Sequence, residues 1–154
     1  MAADLRPETV VRSVGGPEMH FVARRVGLRF EERGMGSFGL GSGRRQFEAM
    51  AFSGGCEPPA AARGRVAKTA EQPLTLRYGW SNQRAGLAAM DAWNRDAAHI
   101  SAAGSDGLRA TLYLEHGVTL RTVEEHLRRF AREIEAFENN ARKYAEILKS
   151  KRGL

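Results

Sequence analysis

MDAWNRDAAHISAAGSDGLRATLYLEHGVTLRTVEEHLRRFAREIEAF, residues 90–137, is the stretch whose reading decides the fold. A helix closes at Ala92-Trp93-Asn94, and a short strand over residues 97–102 follows it. Ser105-Asp106-Gly107 then turns the chain into a second strand over 108–115. Aspartate-glycine marks a hairpin because both residues tolerate positive φ. Leu108, Ala110, Leu112 and Leu114 fall on one face of that second strand. Trp93 is expected in the core, Asn94 as a hydrogen bonder at the helix end, and Asp106-Gly107 as turn chemistry.

Gly117-Val118-Thr119 opens the last helix. Leu120, Val123, Leu127, Phe130, Ile134, Phe137, Ala141, Tyr144 and Leu148 recur at alternating steps of three and four, which sets them on one stripe. Thr122 with Glu125 reads as a capping box, and Glu124–Arg128 and Glu125–Arg129 as stabilising pairs one turn apart. Lys149, Lys151 and Arg152 sit at the negative end of the helix dipole. A helix of roughly 30 residues reaches about 45 Å, farther than a small sheet extends. Its first half is expected to pack on the sheet. For residues 140–148, a partner interface and packing on the first helix both remain open. Phe137, Ala141, Tyr144 and Leu148 are therefore the candidate partner-binding residues.

Working outward toward the N-terminus, residues 5–14 read as a first helix with Pro7 in its opening turn and Val10, Val11 and Val14 on its apolar face. Gly15-Gly16-Pro17 would end it. Residues 22–31 read as a strand, with Val26, Leu28 and Phe30 facing one way, and 34–43 as a glycine-rich turn. A second strand spans 46–52, a loop 54–62, and a third strand 74–80 with Leu74, Leu76, Tyr78 and Trp80 on one side. Residues 63–68 either extend that strand or form an edge. Ser81 or Asn82 caps the middle helix, whose Ala85, Ala89, Met90, Ala92 and Trp93 form a close-packing face. The expected architecture is a single α+β domain over 1–154 in the order α-β-β-β-α-β-β-α. It is a two-layer fold, an antiparallel sheet of about five strands with helices on one face and residues 138–154 prolonging the last helix.

Composition agrees with a globular domain: 154 residues, 42% hydrophobic and 27% charged. No basic, then apolar N-terminal segment resembles a secretory leader, no apolar run is long enough to span a bilayer, and Cys56 stands alone. A cytoplasmic protein is the expectation. The net charge of +6 is uneven: residues 1–68 hold 11 basic and 7 acidic side chains, 69–118 hold 4 and 5, and 119–154 hold 9 and 6. Arg24, Arg25, Arg44, Arg45, Arg128 and Arg129 are the candidate anion-binding residues, should the chain meet nucleic acid or an anionic surface. Interleaved arginine and glutamate more often make a solvated face.

The order of elements resembles the fold of type III secretion chaperones, and the motifs resemble YbjN-like proteins. The resemblance lies in Trp93-Asn94 at the end of the middle helix, Asp106-Gly107 at the hairpin, and Gly117-Val118-Thr119 before the last helix. The strand 47–52 leading to Cys56, and Leu74-Thr75-Leu76-Arg77, occupy matching places. It covers residues 44–137 well, whereas the 34–43 stretch and the extension after Phe137 depart from it. It implies a non-enzymatic, protein-binding module of the chaperone type, or a sensory-transduction or stress regulator. It further implies a homodimer that holds a polypeptide extended along its surface, with no family-wide catalytic residues to carry over; no metal or cofactor is expected from the residues themselves.

Reaction chemistry has little support. Residues 34–39 match G-x-G-x-x-G, but a dinucleotide site needs that motif to open a helix, and strand-like sequence follows it. His20, His99, His116 and His126 show no metal-ligand spacing. No G-x-S-x-G elbow occurs, and no base accompanies Cys56 in the sequence.

Overall fold

The computed structural model describes residues 4–34, 36–51, 73–79, 86–104 and 107–152. Strand β1 is Val10–Val11, followed by α1 (Gly16–Val26), β2 (Arg29–Gly34), β3 (Ser37–Ser42), β4 (Arg45–Met50) and β5 (Leu74–Gly79). Then come α2 (Gly86–Arg95), β6 (Ala102–Gly104), β7 (Gly107–Leu112), β8 (Val118–Thr119) and α3 (Leu120–Arg152). Six strands form one antiparallel sheet in the order β2-β3-β4-β5-β7-β6, and β1 pairs with β8 separately. The fold is thus the expected two-layer α+β arrangement, with one strand more than expected between the first two helices. Residues 54–68, Cys56 among them, lie outside the described residues, as do Trp80, Ser81, Asn82, Ala85 and Asp106.

The N-terminal reading needs correction. Residues 5–14 are not a helix: Pro7 and the β-branched valines favour extended chain, and Val10 and Val11 pair with Thr119 and Val118. Gly15-Gly16-Pro17 opens a helix instead of closing one. Gly15 is the N-cap, proline lies in the first turn where no amide is required of it, and Glu18 Oε1 accepts from the Gly15 N–H at 3.4 Å. Met19, Val22 and Ala23 are buried with Val26 packed beside them, a 3.6-residue period that overrides the alternation read as strand. Gly27, at φ +75°, stops the helix, and the Leu28 N–H donates back to the Ala23 carbonyl at 2.9 Å.

The 34–43 stretch is mostly a strand, not a turn. In β3, Phe38 and Leu40 point into the core while Gly39 and Gly41 occupy the opposite face. A Cβ at 39 would lie 2.8 Å from Arg33 Nε, and one at 41 would lie 2.6 Å from Arg29 Nη2. Two guanidinium groups therefore lie on bare backbone.

Residues 97–101 form a turn, where a strand was expected. Asp96 Oδ1 accepts from the Ala98 N–H at 2.9 Å, a local bond that competes with strand pairing. Strand β6 begins only at Ala102.

The start of α3 is capped differently from the Thr122–Glu125 box. Thr119 Oγ1 accepts from the Thr122 N–H at 3.2 Å. The amides of Leu120 and Arg121 donate to the carbonyls of Thr9 and Pro7 at 2.9 and 2.8 Å. The N-terminal strap thus satisfies first-turn donors that a lone helix leaves to water. The expected one-turn pairs are also rearranged: Glu124, only 4% exposed, binds Arg25 of α1, and Arg129 binds Glu133 at 3.3 Å.

The core is the interlock of α1 and α3 with the inner sheet face. Leu120, Val123, Leu127, Phe130, Ile134 and Phe137 are buried against Phe38, Leu40, Phe47, Ala49, Leu74, Leu76, Leu108 and Ala110. Phe130 meets Phe47 edge to face at 5.3 Å, and Phe137 meets Trp93 likewise at 5.2 Å.

Candidate functional site

The same alternation that fills the core determines what the far side of the sheet presents. Along β4 the outward residues are Gln46, Glu48 and Met50, and along β5 they are Thr75, Arg77 and Gly79. Strand β7 contributes Arg109 and Thr111, and β2 contributes Arg29 and Glu31. Across the strands, Glu31, Gly39, Glu48, Arg77 and Arg109 stand in one row. Arg33 Nη1 donates to Glu48 Oε1 at 3.0 Å over the bare strip at Gly39. A trough of about 460 Å³ lies between Arg33, Gln46, Phe47, Glu48, Arg77 and Gly79. A smaller one of about 220 Å³ lies beside Gly39 and Gly41. Arg77 stands between Glu48 on one side and Arg109 on the other. Among the described residues no helix covers this face.

The two outer edges of the sheet differ. At β6, the Asn94 side chain behaves as a substitute strand: its Nδ2 donates to the Ala103 carbonyl at 2.9 Å and its Oδ1 accepts from the Ala103 N–H at 2.7 Å. Asn94 is a hydrogen bonder at a helix end, as expected, and its bonds close a sheet edge. Strand β2 has no such cover among the described residues. It carries Arg29, Glu31, Glu32 and Arg33, and a bulge between Glu32 and Gly34.

The candidate partner stripe divides at Phe137. That residue is 2% exposed and spent in the core, so it has no surface left for a partner. Ala141 is half-buried and packs on the core margin, while Tyr144 and Leu148 lie farther along α3.

The six candidate arginines are put to different uses. Arg25 binds Glu124 and lies over the Phe21 ring at 5.7 Å. Arg45 Nε donates to Glu138 Oε2 at 2.7 Å, and Tyr78 donates its hydroxyl to the other oxygen of the same carboxylate. Burial, reinforced by that bond to Glu138, pushes the Tyr78 phenol up to about 12. The hydrogen bond to Glu138 also raises Arg45. Arg129 binds Glu133 and the Ala98 carbonyl. Arg24 and Arg44 are exposed. Arg128 joins Arg132 and Glu135 at a depression of about 180 Å³ beside Val26, Leu28 and Ser42.

A buried polar network that the sequence reading did not single out fastens the 96–101 turn to α3. Glu133, 7% exposed, accepts the Ile100 and Ser101 amides at 3.0 Å each and the Ser101 hydroxyl at 2.6 Å. Trp93, in the core as expected, donates Nε1 to the Ser101 carbonyl at 3.1 Å and stacks on His99 at 3.5 Å. A cleft of about 390 Å³ opens beside this pair, bounded by Ala89, Ala92, Asn140 and Lys143. Nothing in the sequence separates Glu133 from the surface glutamates around it except its place three residues after Phe130 and one before Ile134.

Among the described residues, no three His, Cys, Asp or Glu side chains are grouped to hold a metal ion, and no helix is long and apolar enough to cross a membrane. The G-x-G-x-x-G residues run from the end of β2 into β3, so they open no helix. The chain matches no protein-family model, no curated protein and no solved structure.

Proposed function

We propose that the protein is a non-enzymatic, YbjN-like binding module of the type III secretion chaperone kind. In this reading it is a chaperone or a sensory-transduction or stress regulator that works as a homodimer and holds a polypeptide partner. The observation that carries this reading is the outer sheet face, which no helix among the described residues covers, with its charged rows and trough. An extended peptide suits such a face, because it can lie in the trough beside the arginine-covered glycines while its side chains meet Arg33, Glu48, Arg77 and Arg109. Two places offer room for a second copy: the β2 edge, and α3, whose 33 residues extend about 50 Å and continue the Ala141, Tyr144, Leu148 spacing past the core.

The test is co-purification from native extract, comparing wild type with Arg109→Glu/Thr111→Asp on the outer face. A polypeptide retained by wild type and lost by the variant supports the reading; equal retention by both contradicts it.

A second reading, a binder of nucleic acid or an anionic surface, draws on Arg128 and Arg132 at their shared depression. Heparin binding that weakens steeply with salt and is lost in Arg128→Glu/Arg132→Glu would favour it. Absence of binding at low salt would dismiss it.

A further inference from the structure

We infer that the outer edge of β2 is the docking surface for a second copy of this chain, paired antiparallel across a two-fold axis at Phe30. The inference rests on the homodimer proposed above and names its surface.

Among the described residues, the edges of the sheet leave one place for such pairing. The Asn94 amide occupies the backbone groups of Ala103 on β6, so a strand approaching there finds its partners taken. Along β2 no described group does the same. Charged side chains on an edge strand usually repel foreign strands. Here their order is self-complementary: Arg29, Phe30 and Glu31 follow one another, with Arg29 and Glu31 on the outer face and Phe30 on the inner. With Phe30 opposite Phe30, each Arg29 faces the second copy's Glu31, and both pairs are opposite in sign. Moving the dyad one residue toward Glu31 sets glutamate against glutamate, and moving it the other way sets arginine against arginine. Half-residue moves place outward side chains against inward ones. Among dyads at Arg29, Phe30 and Glu31, the edge charges therefore admit only the one at Phe30, a discrimination by exclusion.

Apolar surface supports the same register. Phe30 is half-buried, stacked on Phe38 at 5.7 Å and on His20 at 5.2 Å. Pairing at the dyad covers its remaining surface with its own twin and joins two aromatic rows into one. The present partners of the charged residues are easily exchanged. Arg29 donates to the Gly43 carbonyl at 2.7 Å in solvent, and Glu31, with its side chain 71% exposed, lies 3.5 Å from Arg33. The bulge between Glu32 and Gly34 breaks the regular run of the strand, so the pairing is short and the dimer weak. Joined this way, two six-stranded sheets become one continuous outer face for the polypeptide.

Sedimentation velocity on the full chain tests this, with circular dichroism to verify that each variant is folded. Arg29→Glu alone and Glu31→Arg alone should each weaken self-association by about tenfold or more, because each sets like charges face to face. The double exchange R29E/E31R should restore it. An equimolar mixture of the two single variants should form a heterodimer, since both of its cross-strand pairs are again opposite in sign. Wild-type dimerisation that ignores these charges, or a double exchange that fails to rescue it, overturns the inference. If it is lost only on Tyr144→Ser/Leu148→Ser, the surface belongs to α3, and the homodimer survives without this edge. A wild type that stays monomeric across the concentration range sinks both.

Discussion

His126 lies on α3 with its Nε2 buried and without a hydrogen-bond partner. Burial pushes it down to about 4; Glu133 opposes that shift and Arg129 adds to it. An unfolded histidine takes up its proton near pH 6.5, whereas the folded one resists until about pH 4. Stability is therefore complete above pH 6.5 and falls as pH drops toward 4, by up to roughly 3 kcal/mol from this one group. Urea unfolding across that range should show the decline in wild type and a flatter profile in His126→Leu.

Glu133 is the other residue whose loss should be costly. Its carboxylate satisfies two backbone amides, a hydroxyl and Arg129 in a nearly dry site. Glu133→Ala strands all of them and should destabilise the fold by about 3 kcal/mol, measured by chemical denaturation. Asn94→Ala should cost about 1 kcal/mol and speed amide exchange at Ala103, because it uncovers the β6 edge.

At the scale of elements, the legible parts were those with long, unbroken periodicity. The stripe from Leu120 to Phe137 is buried throughout, and β4, β5 and β7 fall close to where alternation set them. What was illegible had competing signals of similar strength. Gly15-Gly16-Pro17 can end a helix or begin one, and only the burial of Met19 and Val22 decides between them. Strand β3 was hidden because glycines fill its outward positions, a pattern that makes sense only once Arg29 and Arg33 are seen lying over them. The outer face was equally hidden, since a strand register must be known before Arg77 and Arg109 can be recognised as neighbours. Thr119 at the start of α3 offers a direct check on the revised cap. Thr119→Ala should cost about 1 kcal/mol in thermal or chemical unfolding, and Glu125→Ala should cost far less.

For the molecule as a whole, the layers set up a division of labour. The helices consume one sheet face in the core, and Asn94 closes one edge. Among the described residues, what remains is a charged outer face and the β2 edge, the surfaces to which the proposal assigns the polypeptide and the second copy. The core packing of Phe137 also means that any interface built on α3 starts after it.

Site-specific photo-crosslinking probes that division most directly. A photoreactive residue placed at Gln46 or Thr111, on the outer face, should capture a polypeptide partner, whereas one at Arg132 on the helical side should not. Capture from Arg132 alone, or equal capture from both sides, would contradict a platform built on the open face of the sheet.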